Sequence, residues 1–368
     1  MPLDRGGRRA PVPLLLAVLL LTSCGGAQPT PPVTRFDNPA ASLAEFETRM
    51  ERIRRDLNVP GLGLAIASGQ RVVWSRGLGF ADVENSVAPK GDTTFHLASL
   101  TKTYASTVLL QIVEEGRLSL DDPVSRYGVN VTSTGVVTVR HLLTHTSESS
   151  PPGSAYRYNG DRYQLLQGVI ERASGRSFGD LLVDRILKPL DLRATAPNVQ
   201  HASFALMGLD RDQFLRNTAK PYTAGASGAF VPATYPTLFG AAAGLMSSAE
   251  EVAEYSMAVD RDLFLRPETK AAAFTNARTT AGQTIPYGLG WFVQQSGGAT
   301  LVWHYGLWTA NSSLLVKAPA KGLTFVALAN SDGLNNRYDL AAGDVLISPL
   351  AAEFVRAFVT GTTPLPPP

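Results

Sequence analysis

Residues 92–116 read DTTFHLASLTKTYASTVLLQIVEEG. Leu100, Tyr104, Val108, Leu109, Ile112 and Val113 recur at three- and four-residue spacing, which predicts a helix with one buried face over about 99–115, stopped by Gly116. Ser99 and Lys102 are three apart and share a side of its first turn. A serine hydroxyl becomes a nucleophile when a neighbouring base removes its proton, and a lysine serves as that base when burial or nearby positive charge lowers its pKa towards neutrality. The free N–H groups of the first turn would favour an oxyanion formed at Ser99. Ser-x-x-Lys is thus a workable core for acyl transfer. With 7 lysines and 26 serines in 368 residues, one such pair is near chance expectation. Ser99 as a helix cap beside a solvated Lys102 would explain the same letters. The flanking sequence decides between them.

Upstream, Ser42 and Glu45 have capping-box spacing, followed by Leu43, Phe46, Met50, Ile53 and Leu57 on one helical face up to Pro60 and Gly61. Residues 62–67 and 71–80 read as a hairpin across Gly69. Downstream, helical patterns fall near 138–145, 160–174, 177–187 and 247–258, separated by Pro- and Gly-rich loops. From Tyr287 strand patterns return as YGLGWFVQQ, TLVWHY, NSSLLVKA and LTFVALAN, with turns at 297–298 and 318–322. A final apolar helix is expected over roughly 337–357, and 358–368 reads as a frayed, disordered tail. Strands at both ends with helices between them predict an α+β architecture. One antiparallel sheet would be flanked by N- and C-terminal helices, with an inserted, mostly helical lobe at about 100–250 and a site between the two. The whole would be one domain over 43–357.

Residues 1–23 are expected to be a signal peptide, with basic Arg5, Arg8 and Arg9 ahead of the apolar run from Val12 to Leu21. That run is too short to span a bilayer. Leu21-Thr22-Ser23-Cys24 resembles a bacterial lipobox, which implies lipidation at Cys24, the chain's single cysteine, and a Gly/Pro-rich tether over 24–42. The expected location is that of an exported, periplasmic or cell-surface lipoprotein, anchored in the outer membrane if the source is Gram-negative, because Gly25 follows the cysteine. The net charge is +2 at pH 7, and the leader's arginines and Asp4 account for it, so charge gives no argument for a nucleic-acid partner.

Six segments occur in an order that resembles the serine β-lactamase-like and penicillin-binding family, in the style of class C β-lactamases, D-aminopeptidases and related esterases. They are TTFHLASLTKTYASTVLLQIVEEGRLSLDDPVSRY, VTVRHLLTHTSE, PPGSAYRYNGDRYQLLQGVIERASG, AAAGLMSSAEEVAEYS, YGLGWFV, and VWHYG followed by LTFVALANSDG. The resemblance implies Ser99 as nucleophile, Lys102 as its partner and Tyr158 as a catalytic phenol whose phenolate cationic neighbours would favour. It places His304 and Gly306 on an edge strand beside the substrate, and the N–H groups of Ser99 and Leu307 in an oxyanion hole. It implies no cofactor and no metal.

Three departures stand out. Gly160 occupies the place of the motif's Asn, which in the family helps hold the lysine and a substrate amide; Asn159, one residue early, is the substitute. Ser147-Glu148 replaces Ser-Gly, and a loop that often walls the site looks trimmed. LWTAN follows Gly306 where a Gly-containing turn is common. The expected function is a serine hydrolase working through an acyl-Ser99 intermediate on small esters, amides or D-amino acid peptides, with β-lactams within its range. The alternative is a catalytically silent relative that binds cell-wall fragments or a partner.

Other residues have plainer readings. His141 and His145 have metal-ligand spacing on a helix but lack the Glu of a zincin, and read as a structural pair. His96 is expected to pack beneath the Ser99 helix. GASGA at 225–229 only partly matches a nucleophile elbow around Ser227 and reads as a loop. Trp303 reads as core, and Trp308 as a second aromatic flanking His304.

Overall fold

The computed structural model describes residues 39–198, 203–361, 363, 365 and 366. The expected leader and the lipidation at Cys24 lie outside the described residues. Residues 39–42, read as the end of a tether, instead begin the first helix, α1 (Pro39–Asp56). Proline is tolerated at a first helical position and Ala40 and Ala41 favour helix, so the start falls ahead of Ser42. Ser42 is a buried helix residue instead of a cap, and Glu45 pairs with Arg49 at 2.7 Å.

The sheet has six antiparallel strands: β1 (Gly61–Ser68), β2 (Arg71–Gly79), β3 (Phe292–Ser296), β4 (Ala299–Trp308), β5 (Asn311–Ala318) and β6 (Leu323–Ala329), in the order β2-β1-β6-β5-β4-β3. The N-terminal hairpin joins the C-terminal meander through β1 and β6, where Leu62 faces Ala329 and Ser68 faces Leu323. Alternation along the strands sends side chains to two faces. Leu62, Leu64, Ile66, Trp303, Val316 and Phe325 pack on Phe46 and Met50 of α1 and on Phe354 and Phe358 near the C-terminus. Ala65, Ala67, Val302, Leu315, Val326 and Leu328 face the helical segment inserted between β2 and β3. The fold is α+β, as expected.

Inside the insertion, α2 (Thr101–Glu114) is almost wholly buried and is entered through a 3-10 turn, Ala98–Leu100. Ser99 therefore sits in that turn, two residues ahead of the α-helix. Two short helices, α3 (Gly160–Gln164) and α4 (Leu166–Ser174), follow the central loops. The short strand Thr94–His96 pairs with Met246–Ser248, which leads into α5 (Ala249–Asp260), capped by Ser248.

Two further expectations need correction. Residues 287–291 are not strand: Gly288 and Gly290 press against Ala273, Thr275 and Ser106 so closely that no side chain fits, and β3 starts only at Phe292. The helix expected over 337–357 is short 3-10 turns at Leu340–Ala342 and Val345–Ile347, then α6 (Pro349–Phe354) continuing as a π turn, Val355–Val359. Gly343 (φ 97°) against Pro286 breaks the run and Pro349 restarts it.

Candidate active site

Thr93 to Leu110 are all buried except Ser99, so solvent meets this part of the chain only at the serine. Lys102 reaches Ser99 from the next turn, with Nζ donating to Oγ at 2.9 Å and to the Ala242 carbonyl at 2.9 Å. It is wholly buried, and no carboxylate of the described residues pairs with it. Its ammonium is therefore poorly solvated, and burial lowers its pKa to about 7, against a weaker upward pull from Asp161. Lys317 is the contrasting case. It too is fully buried, but Asp260 lies 2.7 Å away and the pair is structural.

Tyr158 lies with its ring 5.2 Å from Lys102 Nζ. Its hydroxyl is buried and, among the described residues, meets no partner at full hydrogen-bond geometry, although the Ser99 hydroxyl lies close to it. The expectation of a phenolate is not met. Burial raises the phenol's pKa well above its ordinary value, Tyr305 adds to this, and the nearby Ser99 hydroxyl offsets only part. Lys102 is the group poised near neutrality, and Tyr158 is a phenol. Tyr163 donates to the Lys102 carbonyl at 3.1 Å, fixing the helix beneath the amine.

His145, read as half of a structural pair, lies against Tyr158 with ring centroids 4.3 Å apart. Its carbonyl accepts from Arg157 N at 2.8 Å and its Nδ1 from Asn159 N at 3.1 Å, so it holds both sides of Tyr158. His141 instead accepts the Thr138 N–H at 3.2 Å. Among the described residues there is no group of three metal-ligating side chains. Asn159 is not the expected substitute for the motif amide. Its Oδ1 caps α3 by accepting Arg162 N at 2.9 Å, because residue 159 is where that helix starts. The segment 144–154 closes on itself through Gly153 N to Thr146 O (2.8 Å) and Ser154 N to Ser149 Oγ (3.0 Å).

On β4, Gly306 passes so close to the serine turn that a Cβ would lie 2.1 Å from the Leu97 carbonyl and 2.4 Å from Ser313 Oγ. Leu307 follows at the strand's open end, 39% exposed. His304 departs from the expected substrate contact. It is fully buried, its Nδ1 lies 2.6 Å from the Tyr305 carbonyl and its Nε2 2.9 Å from Tyr287 Oη. A carbonyl only accepts, so Nδ1 carries the proton and Nε2 takes the phenol's, leaving no free ring N–H. Burial, helped by Lys102, lowers its pKa to about 3 and keeps it neutral.

LWTAN forms a tight turn between β4 and β5, with Ala310 at φ 61° where glycine is usual. Trp303 is core, stacked on Phe292 at 4.2 Å, and Trp308 sets its edge on His96. GASGA is the exposed tip of a small hairpin between Tyr222–Ala224 and Phe230–Pro232. Ser99, Lys102 and Tyr158 thus converge from the 3-10 turn, α2 and the loop before α3, with Gly306 and Leu307 brought alongside by β4.

Comparison with known proteins bears on the fold. Penicillin-binding protein 4* of Bacillus subtilis (strain 168) is 24% identical over 338 residues, 78% of this chain and 71% of that protein. The chain spans between 64% and 71% of the length of the first curated relatives it matches. The octameric penicillin-binding protein homologue from Pyrococcus abyssi superimposes with a TM-score of 0.71 at 24% identity, over 84% of this chain and 77% of that one. A D-stereospecific amidohydrolase from Streptomyces sp. does so with a TM-score of 0.66 at 24% identity, over 85% and 97%. At such identities these likenesses speak for the fold. The Beta-lactamase family model matches residues 46–347, most of the chain, and this protein belongs to that family.

Proposed function

We propose that this chain is a serine hydrolase that works through an acyl-Ser99 intermediate on small esters, amides or D-amino acid peptides, β-lactams included. The observation that carries the reading is the 2.9 Å contact between Ser99 Oγ and a buried Lys102 amine whose pKa is about 7. The neutral amine takes the serine proton as Oγ bonds to the acyl carbon. Tyr158, a phenol beside both groups, hands a proton to the leaving group and recovers it through Lys102. Water then attacks the acyl-enzyme, Lys102 and Tyr158 again moving the proton, and the acid departs as Ser99 is restored. The N–H groups of Ser99 and Leu307 would bind the oxyanion in both steps. Hydrolase neighbours such as the D-stereospecific amidohydrolase support the reaction class. We further propose export and a lipid anchor at Cys24.

The test is intact-protein mass after exposure to a fluorophosphonate, with Ser99→Ala in parallel. One adduct on the parent and none on the variant is the expected result. A folded parent that takes no adduct overturns the reading and leaves a binding protein in its place.

A further inference from the structure

Two segments from opposite ends of the chain meet at Ser99: the 3-10 turn that carries it and the end of β4 that carries Leu307. Most polar atoms of the turn have obvious ties. Ser313 Oγ donates to Leu97 O at 2.6 Å, Thr101 Oγ1 donates to Ala98 O at 2.7 Å, and Leu97 N donates to Leu245 O at 2.8 Å. The Ala98 N–H points instead at His96 Nδ1, 3.0 Å away. Ala98 also has φ 47°, a left-handed conformation that a side chain disfavours, so something must hold it there.

The same Nδ1 lies 2.8 Å from Asn311 Oδ1. Asn311 opens β5, directly after the turn that follows Leu307 and Trp308, and its Nδ2 is fixed on Thr309 O at 2.7 Å. The His96 ring is fully buried, stacked on Tyr235 at 5.8 Å and met edge-on by Trp308 at 5.9 Å. One atom of one side chain therefore stands between the serine turn and the β4–β5 tip.

We propose that His96 is a positioning residue. Its Nδ1 joins the Ala98–Ser99 turn to the tip of the β4–β5 hairpin and so sets the spacing between Ser99 and the Leu307 backbone. This rests on the acyl-Ser99 reading, in which those two N–H groups share an oxyanion. Nδ1 holds at most one proton, so the ring either accepts from Ala98 N–H or donates to Asn311 Oδ1. In either tautomer Nδ1 hydrogen-bonds one of the two segments and lies packed against the other, so the buried ring fixes how far apart they lie. Small displacements of an oxyanion donor cost rate steeply, whereas ground-state binding feels them little.

The experiment compares the full chain with His96→Phe, which keeps a ring and loses the nitrogen, and His96→Asn, whose amide puts a polar atom near the place of Nδ1. Asn311→Ala removes the other side of the junction and leaves the ring. Hydrogen exchange is followed in segments 96–100 and 307–312, and kcat and KM are measured on p-nitrophenyl acetate. His96→Phe is expected to exchange faster in both segments. Its kcat is expected to fall about 100-fold with KM within about 3-fold. Asn at 96 recovers most of both, and Asn311→Ala loosens both segments. A folded His96→Phe that keeps its protection and its kcat overturns the proposal, as does an Asn variant no better than Phe. If the parent neither turns over ester nor takes a fluorophosphonate, the hydrolase reading fails by itself. The exchange arm then still decides whether His96 joins the two segments: loosening in only one of them overturns the junction.

Discussion

Gly160 stands opposite Lys102: a Cβ on residue 160 would lie 3.9 Å from Nζ and meet nothing else within 4 Å. The position that carries an amide in the family motif is thus beside the amine in space, and here it is empty. The second bond of Lys102 goes to the Ala242 main chain instead. Gly160→Asn would bring a carbonyl oxygen to the amine, which favours its charged form. The pH midpoint of fluorophosphonate labelling is expected to move up by about one unit. An unmoved midpoint would show that the amide does not reach Nζ.

In the parent chain, labelling should rise with pH through about 7, the pKa of Lys102, because only the neutral amine accepts the Ser99 proton. Stability follows the same group. Its folded pKa lies below the ordinary value of 10.5, so between about 7 and 10.5 the unfolded chain binds more protons. The Lys102 contribution to stability therefore improves as pH rises through that window and is least favourable below 7. Lys102→Met removes the buried charge. It is expected to abolish labelling and to raise the melting temperature at pH 6 by about 3 °C. A fall in melting temperature at that pH would contradict the cost of burial argued for Lys102.

Tyr158→Phe deletes a buried hydroxyl that, among the described residues, meets no partner at full hydrogen-bond geometry. Stability should hold or improve slightly, since nothing is left unpaired. Turnover of ester substrate should fall by about 100- to 1,000-fold, as expected for loss of a proton-transfer group. Thermal melting and steady-state kinetics on one preparation check both halves.

Gly306→Ala places a methyl group against the Leu97 carbonyl, a backbone atom that cannot swing away. The strand and the serine turn must part. We expect a loss of about 1–3 kcal/mol in urea unfolding and a sharp loss of labelling. Unchanged labelling would mean that β4 does not set the geometry at Ser99.

Short apolar runs bounded by turns made the sheet legible: NSSLLVKA at 311–318 and LTFVALAN at 323–330 form β5 and β6 almost to the residue and are buried along their whole length. The Ser99–Lys102 pairing was readable because both residues lie within one turn. What escaped depends on partners distant in sequence. His96 and Asn311 are 215 residues apart. Ala242 acts through a carbonyl, which every residue has, so no side-chain pattern marks it. His145 reads as a helix residue in the sequence, but the helix ends at Leu143 and His145 (φ 57°) lies beyond it, and its role as the prop of Tyr158 comes from a loop folding back across it. The helix expected over 337–357 failed where glycine and proline, at 343 and 349, outweighed an apolar run.

The pairing of β1 with β6 also dictates an order of events in folding. Strand 61–68 is made early but leans on strand 323–329, so its inner edge stays open until nearly the whole chain is available. Contacts of such long sequence separation close slowly and cannot form on a half-emerged chain. The serine turn and the hairpin tip that faces it lie on either side of the same divide. A chain cut short before Leu323 would leave the Ser99 helix without a completed sheet behind it, so the geometry proposed for catalysis is complete only once that strand is in place.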